Sequence, residues 1–429
     1  MNDKKQDQKI QTPRGMRDIL PEDQDYFYRI ENVCRKMARE YWYNKIDTPI
    51  VEKADIFKRT SPYSEVVQKQ MYNFKSRGNR ELVLRPEGTA SIARAYIEHG
   101  MKAWPKPVKL WYMGPFFRYE KPQAGRYRQH HQYGFEIFGQ KDAVLDAQTI
   151  LLFYNLLQEL HLENVVVEIN SIGLPDMRKK YEKELVKYIK KEGFDLCPDC
   201  QKRLKSNPLR ILDCKEDGCS RVREGAPQIV DYLSSKSKKH FEEVLELLDY
   251  LEIPYSLNPY LVRGLDYYTR TVFEFIVQNE DDEDGAGLSL LGGGRYDNLI
   301  ETLGGESTPA VGGAGGVERL IEAMQNQSVH PSYDQKPDIF IASLGSLAKK
   351  KAMKLYERFR QKRVRPVESM GKGSLKSQLK RADQLGVKYT IIIGRKEALD
   401  DKVTLRTMST GRQKIVKESR ILSVVKNRL

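Results

Sequence analysis

Four arginines stand in settings that suit phosphate chemistry, each beside a glycine or a carboxylate. They are Arg118 in Gly-Pro-Phe-Phe-Arg-Tyr-Glu, Arg126 in Gly-Arg-Tyr-Arg-Gln, Arg263 in Leu-Val-Arg-Gly-Leu-Asp-Tyr-Tyr and Arg319 in Val-Gly-Gly-Ala-Gly-Gly-Val-Glu-Arg-Leu. A guanidinium is a rigid fork of donors that matches phosphate oxygens, and glycine lets a large ligand approach the backbone. Any one of these arginines, taken alone, reads most simply as half of a structural salt bridge. As a set they point to a nucleotide site, where phosphoryl or nucleotidyl transfer rests on positioning and charge neutralisation.

Other chemistries find no support. Gly371-Lys372-Gly373-Ser374 lacks the Gly-Lys-Ser/Thr ending of a phosphate-binding P-loop, and no spaced Gly-x-Gly-x-x-Gly follows a strand. The six histidines include no His-Glu-x-x-His pair, and no serine nucleophile elbow is present. His130 and His131 are adjacent, so on a strand they point to opposite faces and do not converge on a metal. Cys197-x-x-Cys200, followed by Cys214 and Cys219, would fit a zinc ion on four thiolates; the first pair has good spacing and the second is looser.

The elements that must carry these residues are visible in the apolar spacing. Residues 23–43 have Tyr26, Ile30, Val33, Met37 and Tyr41 on one helical face. Residues 46–51 are extended, with Pro49 suited to a sheet edge or an interface. A short strand at 82–84 leads into a helix starting near Gly88 and Thr89. Residues 109–120 and 131–138 read as two strands of an antiparallel hairpin around a basic loop. In the second strand Gln132, Gly134 and Glu136 share one face, while Tyr133, Phe135 and Ile137 share the other. A helix at 142–160 and a strand at 165–170 follow. Residues 174–253 are charged, helical at both ends and hold four of the five cysteines, which marks an inserted subdomain. Strand-like alternation returns at 261–268 and 271–277. An acidic loop at 280–284 and two glycine-rich segments come next, the second opening a helix at 318–324. Beyond a polar linker at 326–335, strands at 338–342, 365–368 and 389–393 alternate with helices at 347–360 and 375–385. That order predicts a small α/β domain with a partly parallel sheet, whereas the hairpin-rich N-terminal part predicts a mainly antiparallel one.

Length and charge bound the partners. A chain of 429 residues has room for two or three domains with cores of their own. Residues 336–429 hold 25 basic against 8 acidic side chains, net +17, and the rest hold 48 against 51, net −3. Excess positive charge confined to one segment favours a surface that meets a polyanion. Residues 1–11 lack the apolar stretch of a secretory signal, no run is long enough to span a bilayer, and an odd cysteine count argues against a secreted disulfide scaffold. The expectation is a cytoplasmic protein with no membrane segment.

Taken together, these segments resemble the three signature motifs of the class II aminoacyl-tRNA synthetases. Thr48-Pro49-Ile50-Val51-Glu52 looks like motif 1, Phe117-Arg118-Tyr119-Glu120 like motif 2 and Gly316-Val317-Glu318-Arg319 like motif 3. Leu84-Arg85-Pro86-Glu87-Gly88-Thr89 and Leu261-Val262-Arg263-Gly264-Leu265-Asp266-Tyr267-Tyr268 resemble signatures peculiar to the histidyl-tRNA synthetase family. The likeness begins at Pro13-Arg14-Gly15-Met16-Arg17-Asp18 and covers nearly the whole chain.

The resemblance implies a homodimer using ATP with Mg2+ to join histidine to tRNA(His). It divides the chain into catalytic parts at 1–173 and 255–325, a mostly helical insertion at 174–254, a linker at 326–335 and an anticodon-binding α/β domain at 336–429. Arg118 would hold the α-phosphate of ATP, Glu120 the adenine amino group, Arg319 the γ-phosphate, and Arg126 phosphates or the tRNA acceptor end. Glu87, Thr89 and Gln132 would hold the histidine amino and carboxylate groups. Glu136 and Tyr268 would read the imidazole, with Tyr267 and Tyr296 lining the pocket. Arg263 would lie between the histidine carboxylate and the α-phosphate. The family often carries the first three cysteines without zinc, which sets the expectation of reduced cysteines held by packing. Two departures stand out: Gly313 replaces a large apolar residue of motif 3, and His130 replaces an aromatic. The alternative is a catalytically silent paralogue serving as a regulatory subunit of ATP phosphoribosyltransferase, a kind that lacks the basic C-terminal domain and loses site arginines.

Overall fold

A computed structural model describes residues 10–121, 125–278, 287–331, 337–368 and 373–428. The acidic loop at 280–284 and the Gly371-Lys372 pair lie outside the described residues. The chain divides into two compact units, Met1–Ser332 and Tyr333–Leu429.

In the first unit the strands are Asn44–Lys45 (β1), Val51–Lys53 (β2), Tyr72–Lys75 (β3), Glu81–Leu84 (β4), Val108–Phe117 (β5), Gln129–Phe138 (β6), Val165–Ser171 (β7), Tyr255–Leu257 (β8), Thr269–Val277 (β9), Leu288–Arg295 (β10) and Ala310–Gly316 (β11). Eight form one sheet in the order β1-β5-β6-β11-β10-β9-β7-β8, antiparallel through its middle with a parallel pair at each edge. A small sheet, β2-β4-β3, stands apart. The mainly antiparallel sheet expected from the hairpin-rich pattern is present.

One face of the large sheet is covered by the helices Pro21–Glu40, Ala143–Glu159 and Val317–Asn326. Ile30, Val33 and Met37 of the first join Tyr133, Phe135 and Phe153 in one apolar core. The three-to-four spacing that placed these side chains on one helical face is what allows the helix to bury them together. Residues 174–253 contribute the helices Pro175–Glu192 and Ser235–Tyr250, with short turns and helices between. Tyr181, Leu185 and Ile189 of the first share a second core with Tyr112, Tyr267, Tyr268 and Tyr296.

The sequence reading departs from the structure in three places. The strand expected through 109–120 ends at Phe117, and Arg118 to Glu120 turn away from the ladder. Residues 261–268 form no strand; their apolar side chains fill the second core from an irregular loop. The glycine-rich segments at 292–294 and 312–316 are the central strands β10 and β11, stabilised by neighbours on both sides although glycine is a poor strand former.

The second unit contains Ile339–Ser343 (β12), Pro366–Glu368 (β13), Tyr389–Ile393 (β14), Lys402–Thr407 (β15) and Gln413–Lys417 (β16), ordered β13-β12-β14-β15-β16. β12 pairs in parallel with β13 and β14, and the last two strands are antiparallel. The helices Ser346–Gln361 and Leu375–Gln384 lie between strands in the chain, so this unit is the α/β sheet expected from the strand–helix alternation.

The end of β10 is fixed by a fully buried ion pair. Arg295 binds both carboxylate oxygens of Asp146, and also donates to the backbone carbonyls of Gln140 and Asp142 at 3.2 and 3.1 Å. His240, from the insertion, stands 3.5 Å from the same carboxylate. Burial alone would raise the Asp146 carboxyl, but the charge and hydrogen bonds of Arg295 and His240 together outweigh it and hold the group below its ordinary range. Removing one partner leaves an uncompensated buried charge, so Asp146→Ala should cost about 3–5 kcal/mol in urea unfolding. Replacing both partners by Met or Leu should recover most of that, and a single-variant loss below about 1 kcal/mol would show the pair to be unimportant.

Candidate active site

The face of the large sheet opposite the first core carries the polar residues of the hairpin. Glu136, on β6, is completely buried. Thr89 Oγ1 donates to its Oε1 at 2.7 Å and the Tyr296 hydroxyl donates to its Oε2. The rings of Tyr267, Tyr268 and Tyr296 close around it, with centroids 4.7 to 6.2 Å apart. Glu87 lies at the start of the helix Thr89–Glu98, where its carboxylate accepts the N–H groups of Thr89 and Ala90 at 2.6 and 2.9 Å. These N–H groups have no partner within the helix, so the carboxylate caps it and faces the positive end of its dipole. Among the described residues, the buried Gln132 Oε1, Tyr112 hydroxyl and Arg263 Nε have no hydrogen-bond partner. Leaving such atoms unpaired costs about 1–3 kcal/mol each, which is tolerated where a ligand will meet them.

The floor of this pocket is glycine. A Cβ at Gly312 would strike the Glu136 carboxylate, one at Gly292 the Arg263 guanidinium, and ones at Gly88 and Gly134 the Tyr112 ring. Arg263 lies across that floor, its Nη1 2.9 Å from Glu274 Oε2 and its guanidinium carbon 6.0 Å from the Tyr268 ring centre. Burial works against its charge, yet Glu274, Tyr268 and Asp213 together more than offset this and raise the guanidinium above its ordinary range.

The other arginines form a second cluster. Arg118 donates from Nε to the Pro86 carbonyl at 2.9 Å, beside Glu87. Glu120 stands 3.9 Å from both Arg118 and Arg126. Arg319 donates to the Ser289 carbonyl at 2.5 Å, and the Ser289 hydroxyl donates to Glu274. Burial lowers the Arg319 pKa, with the nearby positive charge of Arg126 adding to the effect. Like charges brought together in this way mark a place prepared for an anion. Arg263, Glu274, Ser289 and Arg319 therefore form a continuous chain from the tyrosine pocket to the arginine cluster.

The residues singled out from the sequence for histidine and ATP fall into these two adjoining groups, and the four cysteines lie apart in residues 174–253. Glu274 was missed, although it is the lone carboxylate on the otherwise apolar face of 271–277. Tyr112 was missed because a tyrosine on a strand has no signature of its own. Glu318 accepts the His131 N–H at 2.9 Å, and its carboxylate also meets the ring Nδ1 at 2.9 Å, which ties the helix Val317–Asn326 to β6. His130 turns the other way, toward Phe116, and burial followed by the Arg118 charge lowers its pKa to about 3, so it is neutral. Gly313 faces Phe153 in the first core and not Glu136, so the departure from motif 3 is absorbed by a core aromatic.

Comparison with known proteins gives consistent results. Residues 15–320 match the family described as Histidyl-tRNA synthetase, and residues 338–428 match one described as Anticodon binding domain. A histidine–tRNA ligase of Caldicellulosiruptor saccharolyticus is 44% identical over 98% of this chain and 100% of its own. A histidine–tRNA ligase of Staphylococcus aureus is 42% identical over 95% of this chain and 97% of its own. The crystal structure of apo S. aureus histidyl-tRNA synthetase superposes with a TM-score of 0.81 at 38% identity, covering 97% of this chain and 100% of that one.

Burial raises the Glu136 carboxyl from its ordinary 4.5 to about 8, against the hydrogen bonds of Tyr296 and Thr89. Below about pH 4.5 both folded and unfolded chains hold this proton, so the site carries no penalty. From there to about pH 8 the unfolded chain releases it while the folded one keeps it, so stability falls as pH rises. Glu136→Gln removes the titration and keeps the size. Its stability relative to the parent should therefore climb by a few kcal/mol between about pH 5 and pH 8, up to about 1.4 per pH unit. Urea midpoints with the same offset at every pH would mean that Glu136 is ionised throughout.

Proposed function

The chain belongs to the histidyl-tRNA synthetase family and is a histidine–tRNA ligase, and from that premise we propose how its residues divide the reaction. The observation that carries the assignment is the join between the Glu136 pocket and the arginine cluster through Arg263, Glu274 and Ser289 on a glycine floor. Histidine sits with its imidazole between Glu136 and Tyr268, within the walls of Tyr267 and Tyr296. Glu136 and its hydroxyl neighbours offer both a donor and an acceptor, as a ring with two nitrogens requires. Glu87, Thr89 and Gln132 take the amino and carboxylate groups. ATP lies over the arginines, with Arg118 on the α-phosphate, Arg319 on the γ-phosphate, Arg126 at the phosphates or the tRNA end, and Glu120 at the adenine amino group.

The histidine carboxylate attacks the α-phosphate and pyrophosphate leaves; the terminal ribose hydroxyl of the tRNA then attacks the histidyl carbonyl of the adenylate, forming the ester as the acyl–phosphate bond breaks and AMP leaves. Negative charge accumulates on the phosphoryl oxygens during the first step. Arg263, already fixed by Glu274, meets that charge without reorganising. The Glu274 carboxylate borders the cluster and is the kind of hard oxygen donor that Mg2+ takes, and it would help to hold the ion beside the phosphates. Bound with ATP, that ion neutralises the pyrophosphate charge. Ile50 and Val51 are exposed, just after Pro49 and at the start of the edge strand β2, which supports a homodimer contact through this segment. Among the described residues no helix is long and apolar enough to cross a membrane, and we place the work in the cytoplasm. A silent regulatory paralogue is not favoured, because the match to histidine–tRNA ligases runs through the C-terminal unit and every site arginine is in place.

Histidine-dependent exchange of pyrophosphate into ATP tests the scheme. Arg263→Ala should slow exchange about 10²-fold, mainly in kcat, and Arg263→Lys should recover only part because a point charge cannot bridge two oxygens. With melting temperature and oligomeric state unchanged, exchange at the parental kcat would make Arg263 structural only.

The basic C-terminal unit separates recognition of tRNA from activation. Ending the chain at about residue 335 should leave exchange largely intact and severely weaken charging of tRNA, and charging by the full chain should fall steeply with salt. Unchanged charging by the shortened protein, at an unchanged oligomeric state, would assign the basic unit some other purpose.

A further inference from the structure

The insertion places four cysteine sulfurs together by three separate local devices. Cys197 caps the helix Pro198–Ser206, and its sulfur accepts the Cys200 N–H at 3.4 Å. The chain returns through the turn Pro208–Ile211, whose continuation brings Cys214 to 4.0 Å from Cys197, sulfur to sulfur. The helix Asp217–Ser220 then presents Cys219, whose sulfur accepts the Cys197 N–H at 3.3 Å. A Cβ at Gly218 would collide with the Asp195 carbonyl, so this last turn packs directly against the backbone leading into Cys197. All four sulfurs lie within 4.8 Å of one another, three of the cysteines are buried, and all are free thiols.

The family resemblance set the expectation of reduced cysteines held by packing; the geometry points to a metal. We propose that Cys197, Cys200, Cys214 and Cys219 bind one zinc ion in a closed structural site. Zinc–sulfur bonds of about 2.3 Å put the corners of a tetrahedron roughly 3.8 Å apart, so a small contraction of the cluster completes the coordination. The loose interval between Cys214 and Cys219, which weakened the pattern in the sequence, is taken up by the Asp217–Ser220 turn. Four soft thiolates select zinc over hard cations, and two N–H groups aimed at sulfur, with Arg203 Nη1 3.7 Å from Cys200, offset their charge. With all four positions filled by protein, the ion has no open site and takes no part in chemistry. Its effect is mechanical. Arg203 also reaches Glu65 at 2.5 Å, and Asn207 reaches Asp266 at 3.0 Å, the residue just before Tyr267 and Tyr268. The metal thus fastens the insertion to two loops beside the tyrosine pocket.

Elemental analysis of the full-length protein, purified without chelator and then dialysed against a weak one, should find about one zinc per chain. Cys34→Ser, whose cysteine lies in the first helix, should keep that zinc, and Cys197→Ser with Cys200→Ser should lose it. Cobalt exchanged into the unaltered protein should give the intense thiolate-to-metal absorption and the visible bands of a tetrahedral four-sulfur site, a readout that does not depend on a variant folding. Zinc below about a tenth per chain, together with no cobalt spectrum, overturns the proposal. So does iron in place of zinc, a disulfide within the cluster, or zinc that stays when Cys197 and Cys200 are replaced.

Discussion

The whole arrangement depends on two neighbouring strands that present almost no side chain to one face. β10 and β11 pair along glycines, with Gly292 opposite Ala314 and Gly294 opposite Gly312. Above them the Arg263 guanidinium and the Glu136 carboxylate lie nearly on the backbone, in space that a single Cβ would occupy. Large polar groups can thus sit low against a rigid sheet, walled by the three tyrosines. The other face of the same strands has the reverse problem. There Gly293, Gly313 and Gly315 receive Phe273, Phe153 and Tyr133, so aromatic rings close the gaps that glycine leaves. Close packing on that side stabilises strands whose own composition disfavours them.

The site is bordered by buried charges handled in two opposite ways. Arg295 and Asp146 are both ionised, with the guanidinium bound to the carboxylate and to two backbone carbonyls, and their function is to hold the chain at Tyr296. Glu136 has no such cation. Its carboxyl is buried among hydroxyl groups and is therefore protonated at neutral pH. Two chain positions separate Asp146's buried partner from Asp297, and one separates it from Tyr296, whose hydroxyl reaches Glu136. A pair that pins the backbone this close to the pocket limits how far Tyr296 can move, and it would serve the proposed recognition of histidine in this way without touching a ligand.

Much of this was legible in the sequence, and for a physical reason. The period-two alternation of residues 132–137 separates Glu136 from Phe135 and Ile137, and the structure puts the first in the pocket and the others in the core. The amphipathic first helix was legible on the same grounds. Residues 261–268 misled because their apolar side chains face a core from a loop, where no regular backbone period is required. β10 and β11 were opaque because glycine carries no hydrophobic signal; their strand character comes from pairing with β6 and β9, which local sequence does not encode. Glu274 escaped for a related reason. Its meaning lies in Arg263, which is distant along a chain segment with no strand of its own.

That last pair shows why an arginine in a salt bridge is compatible with catalysis. A free guanidinium on a long side chain would sample many positions, and ordering it during reaction would cost rotamer entropy. Glu274 removes most of that freedom beforehand, and Gly292 beneath it leaves the group no depth to sink into. The carboxylate also tempers the charge in the resting state, while its contact through a single nitrogen leaves other donors of the fork facing the pocket. In the proposed reaction, as charge grows on a phosphoryl oxygen, attraction to those donors would grow with it, and the distance to Glu274 need not change. The same bridge that makes Arg263 look structural in isolation is thus what makes it a preorganised cation.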